Sequence, residues 1–178
     1  MEEFVFRAAG LADLDAIVRL HLKSWRRSMK DLAPQTAYAV LDEDYRTAQW
    51  ARMLGSPGAD DLWLVCEIGG ELVGVGGACA PTHDSFAGRG EIRFLYLDPS
   101  YQRQGLGRQL LSRLAQHLIG RGYRGVALSV VEGNAAARAF YGALGGREIG
   151  FHIYPSQIWP SRDVIIAWDD AATLASVT

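Results

Sequence analysis

The sequence predicts an α/β (α+β) fold built on one mixed sheet. Three observations carry that expectation. Apolar spacing alternates between strand and helical periods along the chain, in the order β-α-α-β-β-β-α-β-α-β-β. Two strand-like runs meet at Gly69-Gly70, a two-residue turn that suits an antiparallel hairpin. Two others, 91–97 and 124–131, flank a helical pattern, which implies a right-handed parallel crossover.

Each element has its own signal. Residues 2–8 carry Phe4 and Phe6 at strand spacing. Leu11, Leu14, Ile17, Val18, His21 and Trp25 fall at helical spacing, with Asp13 and Asp15 near the positive end of the helix dipole. A second helical region covers Thr36 to Leu54, interrupted near Leu41 and ended by Gly55, Ser56, Pro57 and Gly58. The hairpin strands are 61–68 and 71–79, and 81–90 reads as a loop. Asp98-Pro99 stops the strand at 91–97. Leu106, Leu110, Leu111, Leu114 and Leu118 mark an amphipathic helix closed by Gly120 and Gly122. After the strand at 124–131, Asn134 opens a helix that Gly145-Gly146 ends. Strands at 147–154 and 163–168 flank a loop holding Pro155, Trp159 and Pro160.

Composition bounds the function. A length of 178 residues suits a single domain over 1–178, and 49% apolar with 21% charged residues argues against disorder. Mean hydropathy is zero, and no apolar run approaches the ~18 residues of a membrane span, so no membrane partner is expected. Glu2 and Glu3 stand where a secretory leader would be basic, which gives an expected cytoplasmic location. A net charge of -2 argues against a nucleic-acid-binding face but allows a local basic pocket. Cys66 and Cys79 are too few for a disulfide framework and lack zinc-ligand spacing, so no metal is expected.

The most informative stretch is Gln102-Arg103-Gln104-Gly105-Leu106-Gly107-Arg108, between a strand end and a helix start. A helix start exposes backbone N–H groups and a partial positive charge. Gly105 and Gly107 let a bulky anion approach, and Arg103 and Arg108 add charge, which is the logic of a pyrophosphate site. A tight turn opening a glycine-rich helix fits the same residues. The stretch is not a P-loop, because no Lys-Ser/Thr pair follows the glycines. It is a poor dinucleotide fingerprint too, with Leu110 at the third glycine position and a mid-chain location.

The run from Glu91 to Pro99 (EIRFLYLDP), followed by Gln102-x-x-Gly105-x-Gly107, resembles motif A of the GCN5-related N-acetyltransferase (GNAT) superfamily. The run from Asn134 to Gly145 resembles its motif B, and the element order matches the family over nearly the whole chain. One departure is Gly146, where the family usually has Phe. The resemblance implies a GNAT-type, mostly antiparallel sheet of six to seven strands with a splayed central parallel pair, flanked by about four helices. It implies acetyl-CoA as co-substrate, its pantetheine lying between the splayed strands against backbone groups of Leu95, Tyr96 and Leu97. Gln102, Arg103, Gln104, Gly105, Leu106, Gly107 and Arg108 would wrap the pyrophosphate, with Asn134, Ala137 and Arg138 nearby; Asn134 also suits a plain N-cap.

The chemistry implied is N-acetyl transfer to a primary amine by direct attack in a ternary complex. Tyr141 would face the CoA sulfur as proton donor, with Phe140 as its core-facing neighbour. Glu91 would be the base, against the alternative of an exposed strand-end glutamate paired with Arg89 or Arg93; His83, Asp84 or water are rivals for its role. The oxyanion donor would be the Leu97 N–H or a neighbour, freed by a β-bulge. Trp25, Tyr38, Trp50, His83, Tyr154 and Trp159 are acceptor-pocket candidates, with helical spacing that lets packing alone explain Trp25 and Trp50. The acceptor is a small-molecule amine or a peptide or protein amine, and the last hairpin offers an edge for a homodimer. The alternative is a non-catalytic acyl-CoA-binding or sensing module on the same fold.

Overall fold

A computed structural model describes residues 3–176; Met1, Glu2, Val177 and Thr178 lie outside the described residues, and with them the first residue of the strand expected at 2–8. The chain lays down β1 (Val5–Ala8), α1 (Leu14–Ser28), α2 (Gln35–Val40), α3 (Glu43–Gly55), β2 (Leu62–Ile68), β3 (Glu71–Cys79), β4 (Gly90–Leu97), α4 (Leu106–Gly120), β5 (Val126–Val131), α5 (Ala135–Ala143), β6 (Arg147–Ile153), β7 (Arg162–Trp168) and α6 (Ala171–Ala175). Short 3-10 turns cover Leu11–Asp13, Asp84–Phe86 and Pro99–Tyr101. The strands make one seven-stranded sheet in the order β1-β2-β3-β4-β5-β7-β6. All neighbours are antiparallel except β4 and β5.

The hairpin forms because Gly69 (φ 57) and Gly70 (φ 82) take the left-handed conformation that matches strand twist. The interruption expected near Leu41 is real: Asp42 caps a new helix, its carboxylate accepting from Tyr45 N–H at 3.0 Å. Two expectations shift. Leu11 starts a 3-10 turn rather than the helix and is exposed. A further helix, α6, follows the last strand and ties down α4 through Ser112 Oγ donating to Ala175 O at 2.5 Å.

The sheet has two covered faces. On one, leucines 106, 110, 111, 114 and 118 of α4 pack with Leu128, Ile166 and Trp168, joined by Tyr141 and Leu144. On the other, Ile17, Val18 and Leu22 of α1 and Trp50 of α3 pack on Trp63, Val65 and Val75. Gly146 belongs to the first core. A Cβ there would lie 2.7 Å from both Ile166 Cγ2 and Trp168 Cζ2. Trp168 therefore fills the space around this position, which accounts for a glycine where the family has Phe. Among the described residues, no helix is long and apolar enough to cross a membrane.

Two features of β4 position the site. Register with β5 is confined to Gly90↔Val126 and Glu91↔Ala127, so the two parallel strands part beyond Glu91. Against β3 the register slips between Gly76 and Gly77, leaving Phe94 as an extra residue with φ 58. This is the β-bulge that frees main-chain groups from the ladder.

Candidate active site

The opening between β4 and β5 is lined by backbone on the β4 side. Asp98 N–H donates to Val73 O on β3 at 2.8 Å. Peptide groups alternate sides along a strand, so Tyr96 pairs toward β3, while the N–H and C=O of Leu95 and Leu97 face the opening. Of the three residues expected along the pantetheine, Leu95 and Leu97 thus turn their main chain toward the opening and Tyr96 turns its main chain toward β3. Ser24 Oγ donates to Leu97 O at 2.8 Å, and Lys23 Nζ binds Asp98 Oδ2 at 2.6 Å, so α1 braces the end of β4.

Below the opening lies the loop 102–108. Gln102, Arg103, Gln104, Gly105 and Arg108 are exposed. Arg103 (φ 60) and Gly105 (φ 83) both take the left-handed conformation, and α4 begins at Leu106. The first helical bond used by the turn runs from Gln109 N–H to Gly105 O, so the N–H groups of Leu106 and Gly107 precede the helix's own ladder. At Gly105 nothing lies within 4 Å of a would-be Cβ. At Gly107 packing also calls for glycine: a Cβ would stand 3.1 Å from Leu97 Cδ1 and 3.2 Å from Phe140 Cζ. It lets β4, α4 and α5 meet at one point.

Across the opening, Asn134 caps α5, its Oδ1 accepting from Ala137 N–H at 3.2 Å. Arg138 is engaged elsewhere. Its guanidinium grips Glu148 at 2.7 and 3.0 Å and donates to Glu132 O at 2.9 Å. Tyr141 is 8% exposed and Phe140 36%, the reverse of the expected division of labour. Phe140 leans on Gly107, whereas Tyr141 enters the core edge-on to Trp168, 6.3 Å between rings. Burial, then the neighbouring Tyr96, pushes the Tyr141 phenol well above its ordinary range, so the group holds its proton at neutral pH.

Glu91 is buried, 6% exposed, which removes the reading of an exposed strand-end glutamate. Its Oε2 accepts from Thr82 N–H at 2.8 Å and Thr82 Oγ at 2.7 Å, and Oε1 lies 3.6 Å from Arg93 Nε. Desolvation raises its pKa above the usual carboxylate range, against the pull of Thr82, Arg93 and His83. Arg89 pairs instead with Asp169 at 2.5 Å. His83 sits close by; its Nδ1 accepts from Ser85 N–H at 3.1 Å and its ring meets His152 edge-on at 4.5 Å. Asp84 is exposed.

The acceptor candidates converge from distant parts of the chain. Trp25, Tyr38, Tyr96 and Trp159 pack into one cluster with Val131 at the end of β5. Tyr154 is 41% exposed and lies edge-on to His152 at 6.5 Å. Trp50 is core, donating from Nε1 to His21 Nδ1 at 2.9 Å. Three residues that sequence reasoning passed over stand here too: Arg46, His152 and, counted only as a helix-face residue, His21. Arg46 is buried, its guanidinium 5.6 Å from the Trp25 ring. The available signal was an arginine four residues before Trp50 on the inward face of its helix. Cys66 and Cys79 are free and buried, and burial pushes their thiols up to about 11 and about 12. Neither supplies a thiolate at neutral pH.

Comparison with known proteins places this geometry among relatives. A family model described as the acetyltransferase (GNAT) family matches residues 17–145. The uncharacterized N-acetyltransferase YuaI of Bacillus subtilis (strain 168) is 23% identical over 171 residues, 96% of each chain. The [ribosomal protein bS18]-alanine N-acetyltransferase of Escherichia coli (strain K12) is 48% identical over 73 residues, a match spanning 40% of this chain and 49% of that one. In fold, the chain resembles the PaiA N-acetyltransferase of Thermoplasma acidophilum, solved in complex with coenzyme A. The TM-score is 0.72 at 19% identity, over 93% of this chain and 98% of that one.

Proposed function

The chain belongs to the acetyltransferase (GNAT) family, and from that premise we propose that it transfers an acetyl group from acetyl-CoA to a primary amine by direct attack in a ternary complex. One observation carries the reading. Glu91, a buried carboxylate with a raised pKa, is the last β4 residue paired with β5, and Tyr141, a buried phenol that keeps its proton, neighbours Tyr96 on the part of β4 that has left that pairing. The Escherichia coli relative, named for acetylating an alanine of a ribosomal protein, supports an amine as acceptor.

The residues present suit the co-substrate. The main-chain edge of Leu95 and Leu97 suits pantetheine amides, which would add as a strand adds to a sheet. The exposed turn 102–108 and the start of α4 suit a pyrophosphate. Acetyl-CoA supplies an activated acyl group and a thiolate leaving group. The chain supplies the rest. An ammonium with a pKa near ~10.4 is no nucleophile, so Glu91 accepts its proton, directly or through water. The Leu97 N–H, turned toward the opening three residues past the bulge at Phe94, stabilises charge that develops on the acetyl oxygen. Tyr141 O–H donates to the departing sulfur.

Isothermal calorimetry with acetyl-CoA, followed by thiol release with a panel of amines, tests the reading. Tyr141→Phe is expected to lower kcat by roughly 10²- to 10⁴-fold with acetyl-CoA affinity nearly unchanged. Equal losses in affinity and turnover would make Tyr141 structural. Tight binding with no thiol release for any amine would replace the enzyme with a sensing module.

A further inference from the structure

Among the described residues, five buried side-chain nitrogen and oxygen atoms have no hydrogen-bond partner: His21 Nε2, Tyr38 Oη, Arg46 Nε and both ring nitrogens of His152. Buried polar atoms without partners are rare in folded proteins, and three of the five, on His21, Tyr38 and Arg46, lie about the Trp25 and Tyr96 rings. His21 stacks on Tyr96, 4.1 Å between rings. The Trp25 ring lies 5.1 Å from Tyr38 and 5.6 Å from the Arg46 guanidinium. The Arg46 guanidinium also lies 5.5 Å from the Tyr45 ring, near the Tyr96 and Tyr154 phenols, while His152 stands apart against His83. Tyr96 lies on β4 past its last pairing with β5, so the set adjoins the opening.

The chemistry of this set is one-sided. Trp50 Nε1 donates to His21 Nδ1, so the neutral ring carries its proton on Nε2. Arg46 Nε is a donor only, and the Tyr38 hydroxyl can donate. Arg46 forms no ion pair among the described residues; its Nη1 donates to the neutral Gln49 Oε1 at 2.9 Å, and the groups that favour its charge are the Trp25 and Tyr45 rings and the Tyr96 and Tyr154 phenols, with no carboxylate among them. A buried guanidinium without a counter-charge is strongly disfavoured unless an anion completes it.

We infer that the acceptor amine also carries a carboxylate, an amino acid being the simplest such molecule, and that Arg46 binds that carboxylate with His21 Nε2–H and Tyr38 O–H close by. This rests on the acetyl-transfer reading and names the substrate class of the same site. A guanidinium–carboxylate pair adds charge-assisted, bidentate hydrogen bonds that an amide cannot reproduce. Arg46 is thus the specificity-determining residue, while Glu91 and Tyr141 act on the amine and the sulfur.

The experiment compares kcat/KM for L-amino acids, their carboxamides and their decarboxylated amines at saturating acetyl-CoA, read as thiol release. At least one acid is expected to exceed its own amide by about 10- to 100-fold. Arg46→Met should collapse that ratio toward one, and Arg46→Lys should keep part of it. Calorimetry with acetyl-CoA on each variant verifies that it is folded. Equal use of acid and amide by the wild type overturns the inference, and so does a preference that survives Arg46→Met. Turnover confined to the carboxamides or the decarboxylated amines, or acetyl-CoA bound with no acid turned over, overturns it too. A wild-type protein that ignores acetyl-CoA fails the parent reading instead, and this inference with it.

Discussion

Glu91 is the residue where burial and chemistry are most closely joined. Burial pushes its carboxyl above the ordinary carboxylate range. As base it must be deprotonated, so the acidic limb of the pH–rate profile should sit above the ordinary carboxylate range. Glu91→Gln keeps the side-chain volume but cannot take a proton; the limb should vanish and kcat fall by roughly 10²- to 10⁴-fold. Stability moves the other way. A raised native pKa means the folded state binds the proton more tightly. Its favourable contribution is complete below the unfolded pKa and is lost as pH rises through the native one. Glu91→Gln should therefore gain stability relative to wild type at neutral pH and not at low pH, measured by urea unfolding. A pH–rate profile unchanged by the substitution would hand the role to His83 or water. Glu91 and Tyr141 were legible in the sequence because each lies inside a contiguous motif. Arg46 was not, since Trp25, Tyr96 and Tyr154 reach it from three separate parts of the chain. The division between Phe140 and Tyr141 was also hidden: adjacent helix positions differ by ~100°, and which one turns inward depends on Gly107 in a different helix.

At the scale of elements, α5 combines a structural and a proposed functional task at its first turn. Asn134 Oδ1 accepts from Ala137 N–H, and the same residue stands beside the proposed pyrophosphate path. Asn134→Ala should cost about 1 kcal/mol as a lost cap. Asn134→Asp separates the roles, because Asp caps a helix as well as Asn does but brings a negative charge toward a diphosphate. Thermal melts should find the Asp variant near wild type, while calorimetry finds weaker acetyl-CoA binding; unaltered affinity would leave Asn134 a cap alone. The hairpin, the crossover and most boundaries were readable from periodicity and glycine turns, as at Gly69-Gly70. Two elements were not. The helix α6 is five residues long and has only Ala171 and Leu174 buried, too little pattern for a helical period to emerge. The bulge at Phe94 carries no signal because its positive φ falls on a bulky residue, where Gly or Asn would have announced it.

For the whole molecule, the sheet is two half-sheets joined at one short seam. The strands β1–β4 and β5–β7 share a ladder only at Gly90↔Val126 and Glu91↔Ala127, while the core built on α4 bridges both halves. A ligand lying in the opening would complete the missing pairing and bind the native state selectively, so mass action stabilises the fold by about 2.7 kcal/mol at a hundred times Kd. The distinctive signature is local. Leu95 and Leu97 N–H face the opening, whereas Tyr96 faces β3. Hydrogen exchange followed by NMR should show acetyl-CoA slowing the Leu95 and Leu97 amides strongly and Tyr96 little, because the Tyr96 amide is protected by β3 in either state. Protection spread evenly over all three would report global stabilisation without an added strand. Protection confined to 102–108 would mean that the pyrophosphate binds while the tail lies elsewhere, and the roles given to Glu91 and Tyr141 would lose their common geometry.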